Sequence, residues 1–224
     1  MGTNYNPQIV TSGLVLCVDA ANRKSYPGSG NTWIDLSNGN TLTLANTPSY
    51  NSANGSFTFN GGITDQYVTG NLATIAVGSN VTTEAFVKLN TVSGVKNIFT
   101  IGRSAVSFSY GMVINGSSFR FRNSSNDHIF PSPTTLTTGV WYHLILSSTA
   151  TETTGYVNGV SQGITSNVVT NNAIPEYCIS RRALNDASEY MNGEIALVRV
   201  YYNKAFTQNE VLQNFNATRG RYNL

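Results

Sequence analysis

Short β-branched and aromatic runs, separated by turn residues, recur along the whole chain. They include LVLCVD (14–19), SFTFN (56–60), QYVT (66–69), VTTEAFVKL (81–89), NIFTIG (97–102), FSYGMVIN (108–115), SSFRFR (117–122), EYCISR (176–181) and GEIALVRVYY (193–202). The stretch 139–163, GVWYHLILSSTATETTGYVNGVSQG, reads as two more strands. Trp141 to Leu146 form an apolar run, a Ser/Thr loop follows, and after Tyr156-Val157 the pair Asn158-Gly159 reverses the chain. A type I′ turn needs positive φ at both central residues, which Asn-Gly tolerates best. Asn-Gly also occurs at 38, 54, 60, 115 and 192, each a candidate reversal. Many short strands without interleaved helical periods predict an all-β antiparallel sandwich or barrel.

Alternation assigns faces within single runs. In SSFRFR, Phe119 and Phe121 point one way and Arg120 and Arg122 the other, which predicts one packed and one wet face. In GEIALVRVYY, Ile195, Ala196, Leu197, Val198 and Val200 leave neither face polar, so this strand is expected at a sheet centre. One short surface helix is signalled near the C-terminus. Thr207 with Glu210 forms a capping box, Phe206 and Val211 a hydrophobic staple, and Val211, Leu212 and Phe215 an apolar face before Gly220. SYPGSGNTW (25–33) reads as an ordered loop with a tight turn at Pro27-Gly28.

At 224 residues the chain can bury a substantial core as one domain. Charged residues make up 11% and the net charge is +2, so no field recruits nucleic acid or an anionic membrane. A hydrophobic content of 40% with dispersed aromatics argues against disorder. No apolar segment reaches the roughly 20 residues of a membrane span, and the opening MGTNYNPQIVTSG lacks the pattern of a signal peptide. Gly2 does not make a myristoylation site, because Asn6 stands where that motif needs Ser or Thr. Cys17 and Cys178, in apolar runs far apart, read as buried free thiols without metal-ligand spacing.

Several segments carry a resemblance. WYHLILSS…GYVNGV followed by CISRRA…EYMNGEIALVRVYYNKAFTQNEV is similar to the C-terminal half of laminin-G-like domains in the concanavalin A-like lectin/glucanase superfamily. VTTEAFVKLN and SFTFNGGITDQYVT resemble earlier strands of the same domains, so the likeness covers roughly residues 13–213. It implies a jelly-roll β-sandwich with a short C-terminal helix over residues 13–215, flanked by an N-terminal segment (1–12) and a C-terminal tail (216–224). YNPQIVTSGLVLCVDAANRKSYPGSGNTWIDLS and NFNATRGRY also resemble virion proteins of tailed phages, notably marine ones. That second resemblance implies a non-enzymatic virion structural protein, a capsid decoration or tail-associated subunit made in the host cytoplasm. Its partners would be other virion proteins and further copies of itself, with a glycan as an additional ligand. A free carbohydrate-binding lectin is one alternative, and a glycoside hydrolase of the glucanase branch another.

The titratable residues bear on these alternatives. A glycosidase of the glucanase branch needs two carboxylates on one strand face, at i, i+2 or i+4 spacing. Among the 11 acids no pair has it, and the nearest, Asp186 and Glu189, lie in a polar loop. His143, in a strand without a neighbouring nucleophile or paired carboxylate, is expected to be structural, and His128 to lie on a surface loop. Two distant histidines and two unclustered thiols do not supply a zinc site. The superfamily resemblance implies calcium as the more reasonable ion, with Asp65 the first candidate ligand and Asp19 and Asp35 weaker ones. Tyr26, Trp33, Tyr50, Tyr110 and Tyr190 are aromatics with Asn and Ser neighbours of the kind that contact sugars, although the pattern assigns them no site.

Overall fold

A computed structural model describes residues 8–72, 79–103, 107–123, 126–169, 176–182 and 186–224. The strands are β1 (Leu14–Asp19), β2 (Thr32–Ile34), β3 (Thr41–Ala45), β4 (Ser49–Asn51), β5 (Ser56–Asn60), β6 (Tyr67–Asn71), β7 (Val81–Leu89) and β8 (Val95–Arg103). They continue as β9 (Ser107–Asn115), β10 (Ser118–Asn123), β11 (Asn126–Ile129), β12 (Trp141–Ser148), β13 (Thr153–Val157), β14 (Val160–Thr165), β15 (Glu176–Ile179) and β16 (Asn192–Tyr202). One helix, α1 (Gln208–Thr218), runs into a 3₁₀ turn at Arg219–Arg221.

These strands form two antiparallel sheets. The first has the order β14-β13-β12-β7-β16-β5-β4, with β1 also on β16, and the second the order β11-β10-β9-β8-β15-β6-β3-β2. β16 is central, as its doubly apolar pattern predicts. One edge pairs with β7, while the other is shared, residues 192–195 by β5 and residues 197–201 by β1. Between the sheets lies a core that includes Phe57, Phe59, Val87, Leu144, Leu146 and Val198 from one side. Phe99, Met112, Ile114, Phe119, Phe121 and Ile179 come from the other.

A second buried layer explains why β12 and β16 show no polar face. α1 and the chain end cover the outer surface of the first sheet. Val10, Ile145, Tyr156, Tyr201, Phe206 and Val211 form one outer cluster, and Phe86, Trp141, Ala196, Leu197, Phe215 and Tyr222 another. Thr207 caps the helix in the expected capping box with Glu210, and both staple residues are buried. α1 is therefore half sunk in the protein.

The structure corrects several local readings. Asn192-Gly193 lies inside β16 and does not reverse the chain; a Cβ on Gly193 would stand 2.1 Å from the Lys88 carbonyl oxygen, so glycine serves close strand approach there. The arginine face of SSFRFR is not wet at Arg122, which is buried in ion pairs with Asp127 and Glu189. The end of SYPGSGNTW is strand β2, and His128 stands in edge strand β11, not a loop. β3 and β4, with little sequence signal, were not anticipated. Residues 216–224 are no free tail: Tyr222 is 5% exposed and stacks on Trp141 at 4.5 Å and on Phe86 at 5.0 Å.

Candidate functional site

Polar side chains concentrate in two places on the first sheet. The deeper set lies beneath α1. Glu84 on β7 is fully buried and receives Arg199 of β16 at 2.7 Å, His143 of β12 at 3.1 Å and the Asn214 amide of α1 at 2.6 Å. Register places these groups together, since Glu84 faces Arg199 on one side and Ile145, two residues from His143, on the other. Burial alone raises the Glu84 pKa, but the Arg199 charge, then His143 and Asn214, outweigh it and hold the group at about 2. His143 stacks between Phe86 at 4.5 Å and Phe215 at 5.5 Å, and its backbone exchanges hydrogen bonds with Asn158 of the β13–β14 turn. A carboxylate that stays ionised and sealed from solvent can neither donate a proton nor meet a substrate. The set fastens the helix to the sheet.

Glu194 is likewise committed. It forms an ion pair with Lys88, accepts from Ser56, and takes the amides of Asn51 at 3.2 Å and Asn54 at 3.0 Å. Burial opposes its ionisation, but Lys88, Ser56 and Asn54 pull its pKa below the usual glutamate value. In this way it braces the turn between β4 and β5 from behind.

The predicted calcium ligands are dispersed. Asp65, at φ +49° before β6, accepts the Tyr190 hydroxyl and stands 3.5 Å from Arg181. Burial and then Asp65 push the Tyr190 phenol up to about 12. Asp19 is held by Arg221 through two bonds of 2.7 and 2.8 Å, and Asp35 accepts from the Cys17 amide and from Ser37. Among the described residues no three His, Cys, Asp or Glu side chains gather as ligands. With a guanidinium beside Asp65, these residues do not fit a calcium site. Cys17 and Cys178 are buried free thiols in opposite sheets.

The second polar place is a surface cleft of about 710 Å³ between residues 21–29 and the β4–β5 turn, closed at one end by the C-terminal turn. Arg23, Tyr26, Ser29, Tyr50, Asn54 and Arg221 line it. Tyr26 and Tyr50 pack at 4.8 Å, both against Phe57, so the aromatic wall rests on the core. Gly55 sits where a Cβ would meet Ala21 Cβ at 2.4 Å, which lets the two walls touch. Among the described residues no carboxylate lines this cleft. Two smaller clefts, of about 300 and 260 Å³, hold one acid each, Asp35 and Glu189. Of the five aromatics considered from sequence, the cleft unites half-buried Tyr50 with Tyr26, which is itself largely sunk in the core; Trp33 and Tyr110 lie wholly in the core, and Tyr190 stands apart with Asp65. Sequence reasoning missed the cleft because its walls meet only through the fold.

Residues 60–212 match the Laminin_G_3 family of the concanavalin A-like lectin/glucanases superfamily. The chain belongs to that superfamily. Among solved structures, the superfamily member is similar to Trypanosoma rangeli sialidase in complex with sialic acid. The TM-score is 0.70 and the identity 17%, over 95% of this chain and 34% of that one. It is also similar to the botulinum neurotoxin serotype D binding domain (TM-score 0.68, identity 11%, 92% of this chain and 52% of that one). The botulinum neurotoxin type G receptor binding domain gives 0.65 and 12%, over 91% and 51%. The chain thus spans about a third of the sialidases and half of the toxin domains, and at these identities the likeness is one of fold. Comparison with curated proteins finds no match.

These findings correct the reading as a virion structural protein, since the similar structures are sialidases and toxin binding domains. The C-terminal segment NFNATRGRY, part of that resemblance, has a physical use of its own: its aromatic and basic groups cover this domain's own sheet.

Proposed function

We propose that this superfamily member is a non-catalytic carbohydrate-binding domain that holds a saccharide in the cleft of Arg23, Tyr26, Tyr50, Asn54 and Arg221. The observation that carries the reading is the make-up of that cleft: a core-supported tyrosine wall, amide and hydroxyl groups, and no carboxylate. Sugar sites combine aromatic surface with a few fixed polar groups, whereas glycoside hydrolysis needs two carboxylates flanking the bond. Of the three most buried acids, Glu84 and Glu194 are each neutralised by a cation, and Asp35 is taken up by the Cys17 amide and Ser37. Similarity to a sialidase solved with sialic acid is consistent with saccharide recognition, and similarity to toxin binding domains with a binding role for this sandwich.

A glycan array probed with the full chain tests the reading. Saturable binding is expected, and Ala53→Trp, which fills the cleft from the turn, should abolish it without lowering the melting temperature. Binding that survives this substitution would move the site elsewhere, and release of sugar from any bound glycan would make the protein an enzyme.

A further inference from the structure

We infer that the saccharide held in this cleft carries a carboxylate, and that Arg23 reads its charge; the inference rests on the carbohydrate-binding reading above. Two guanidinium groups reach the cleft from segments far apart in sequence, but they are not equivalent. Arg221 is matched by Asp19 through two hydrogen bonds, so its charge is spent within the protein. Arg23 donates from Nη1 to the Pro27 carbonyl at 3.1 Å, and among the described residues no carboxylate pairs with it. The lining is therefore a neutral ion pair plus one uncompensated cation, without an acid to repel an anion.

The backbone that presents Arg23 is tied down. Asn22 accepts the Lys24 amide on its side chain at 2.9 Å and the amides of Ser25 and Tyr26 on its carbonyl, both at 2.8 Å. The Ser25 hydroxyl donates to the Ile34 carbonyl at 2.6 Å, which pins the loop to β2. With the backbone under Arg23 held in this way, binding need not order the loop as well as the side chain. Its planar fork suits a carboxylate, which accepts two parallel charge-assisted bonds, whereas a neutral saccharide covering it would strip water from a cation without replacing its partner. Opposite, the Asn54 amide nitrogen is taken by Glu194, leaving its carbonyl oxygen and the Ser29 hydroxyl to receive sugar hydroxyls.

The test is calorimetric titration of the full chain with oligogalacturonate and with its methyl ester, which differ in charge but hardly in shape. The acid should bind about tenfold more tightly, and the preference should shrink with added salt. Arg23→Gln should lower affinity for the acid to that of the ester, whereas Arg219→Gln, an equal charge change on the exposed face of the last turn, should not. Equal affinity for acid and ester, or a preference that persists in Arg23→Gln, overturns the inference. Tighter binding of a sulfated galactan oligosaccharide than of oligogalacturonate would overturn the assignment of a carboxylate. Array binding to neutral glycans with no binding of either probe removes this inference alone, and no binding of any glycan removes the carbohydrate reading with it.

Discussion

The Asn214 side chain of α1 donates to Glu84 Oε2 at 2.6 Å, in the middle of the first sheet. Its side-chain carbonyl accepts the Val10 amide at 2.8 Å, so one residue joins the helix, the central strands and the segment before β1. Replacing Glu84 by Gln leaves Arg199 buried without its counter-charge and should cost about 3–5 kcal/mol. Asn214→Ala removes one bond to the Glu84 carboxylate and neutral bonds to Tyr201 and Val10 but leaves the ion pair in place, and should cost about 1–3 kcal/mol. Urea unfolding measures both, and equal midpoints for Glu84→Gln and the parent would refute the role given to the ion pair.

Acid should unfold the protein in a defined window. The folded Glu84 pKa, about 2, lies below its ordinary value of 4.5, so its contribution is complete above 4.5 and lost as pH falls from there to about 2. Glu194, Asp127 and Glu210 shift the same way and add the same sign. Melting temperatures taken from pH 7 to 2 should fall most steeply below 4.5. The slope should flatten in Glu84→Gln, and an unchanged slope there would assign acid lability to other groups.

Tyr222→Ala should destabilise the domain by about 3 kcal/mol through loss of a buried aromatic. It should also redden tryptophan emission, because Trp141 loses its cover while Trp33 stays enclosed. The emission change should vanish when Trp141 is first replaced by Phe. Its persistence would mean that the loss had spread to the inter-sheet core.

The Asn158-Gly159 turn has φ of +51° and +81°, the signs a type I′ turn requires. A Cβ on Gly159 would also approach Leu212 Cδ2 at 3.0 Å and Phe215 Cδ1 at 3.2 Å. Gly159→Val should therefore cost upwards of about 1 kcal/mol, from backbone strain and a displaced helix together. A parental urea midpoint in this variant would contradict both causes.

Calcium should not raise the melting temperature, because the cation beside Asp65 is Arg181. A rise with metal concentration that Asp65→Ala abolishes would restore Asp65 as a ligand.

Much of this architecture was legible because strands and caps are local. β1, β5 and β7 fall on the runs LVLCVD, SFTFN and VTTEAFVKL, and the capping box at Thr207 and Glu210 needs only four residues to recognise. β2 and β4, three residues each, are too short to show a period, and β3 alternates Leu42 and Leu44 with threonines that also suit a loop. The buried network was hidden for a different reason. Glu84, His143, Arg199 and Asn214 lie on four elements, and their charges sit at positions where strand alternation alone would place solvent. Arg23 and Arg221 are nearly the length of the chain apart, so only the folded ends bring them to one cleft.

The central position of β16 has a consequence for how the molecule is made. β1, β5 and β7 all pair with β16, the last of the described strands, so the first sheet has no middle until residues 192–202 have emerged from the ribosome. Until then their apolar edges stay open while the second sheet needs only β15 to join its two halves. Pairings of such long separation close slowly and leave aggregation-prone edges exposed meanwhile. The nascent domain is thus most vulnerable before β16 is made, and chaperone demand should peak in the interval between β15 and β16.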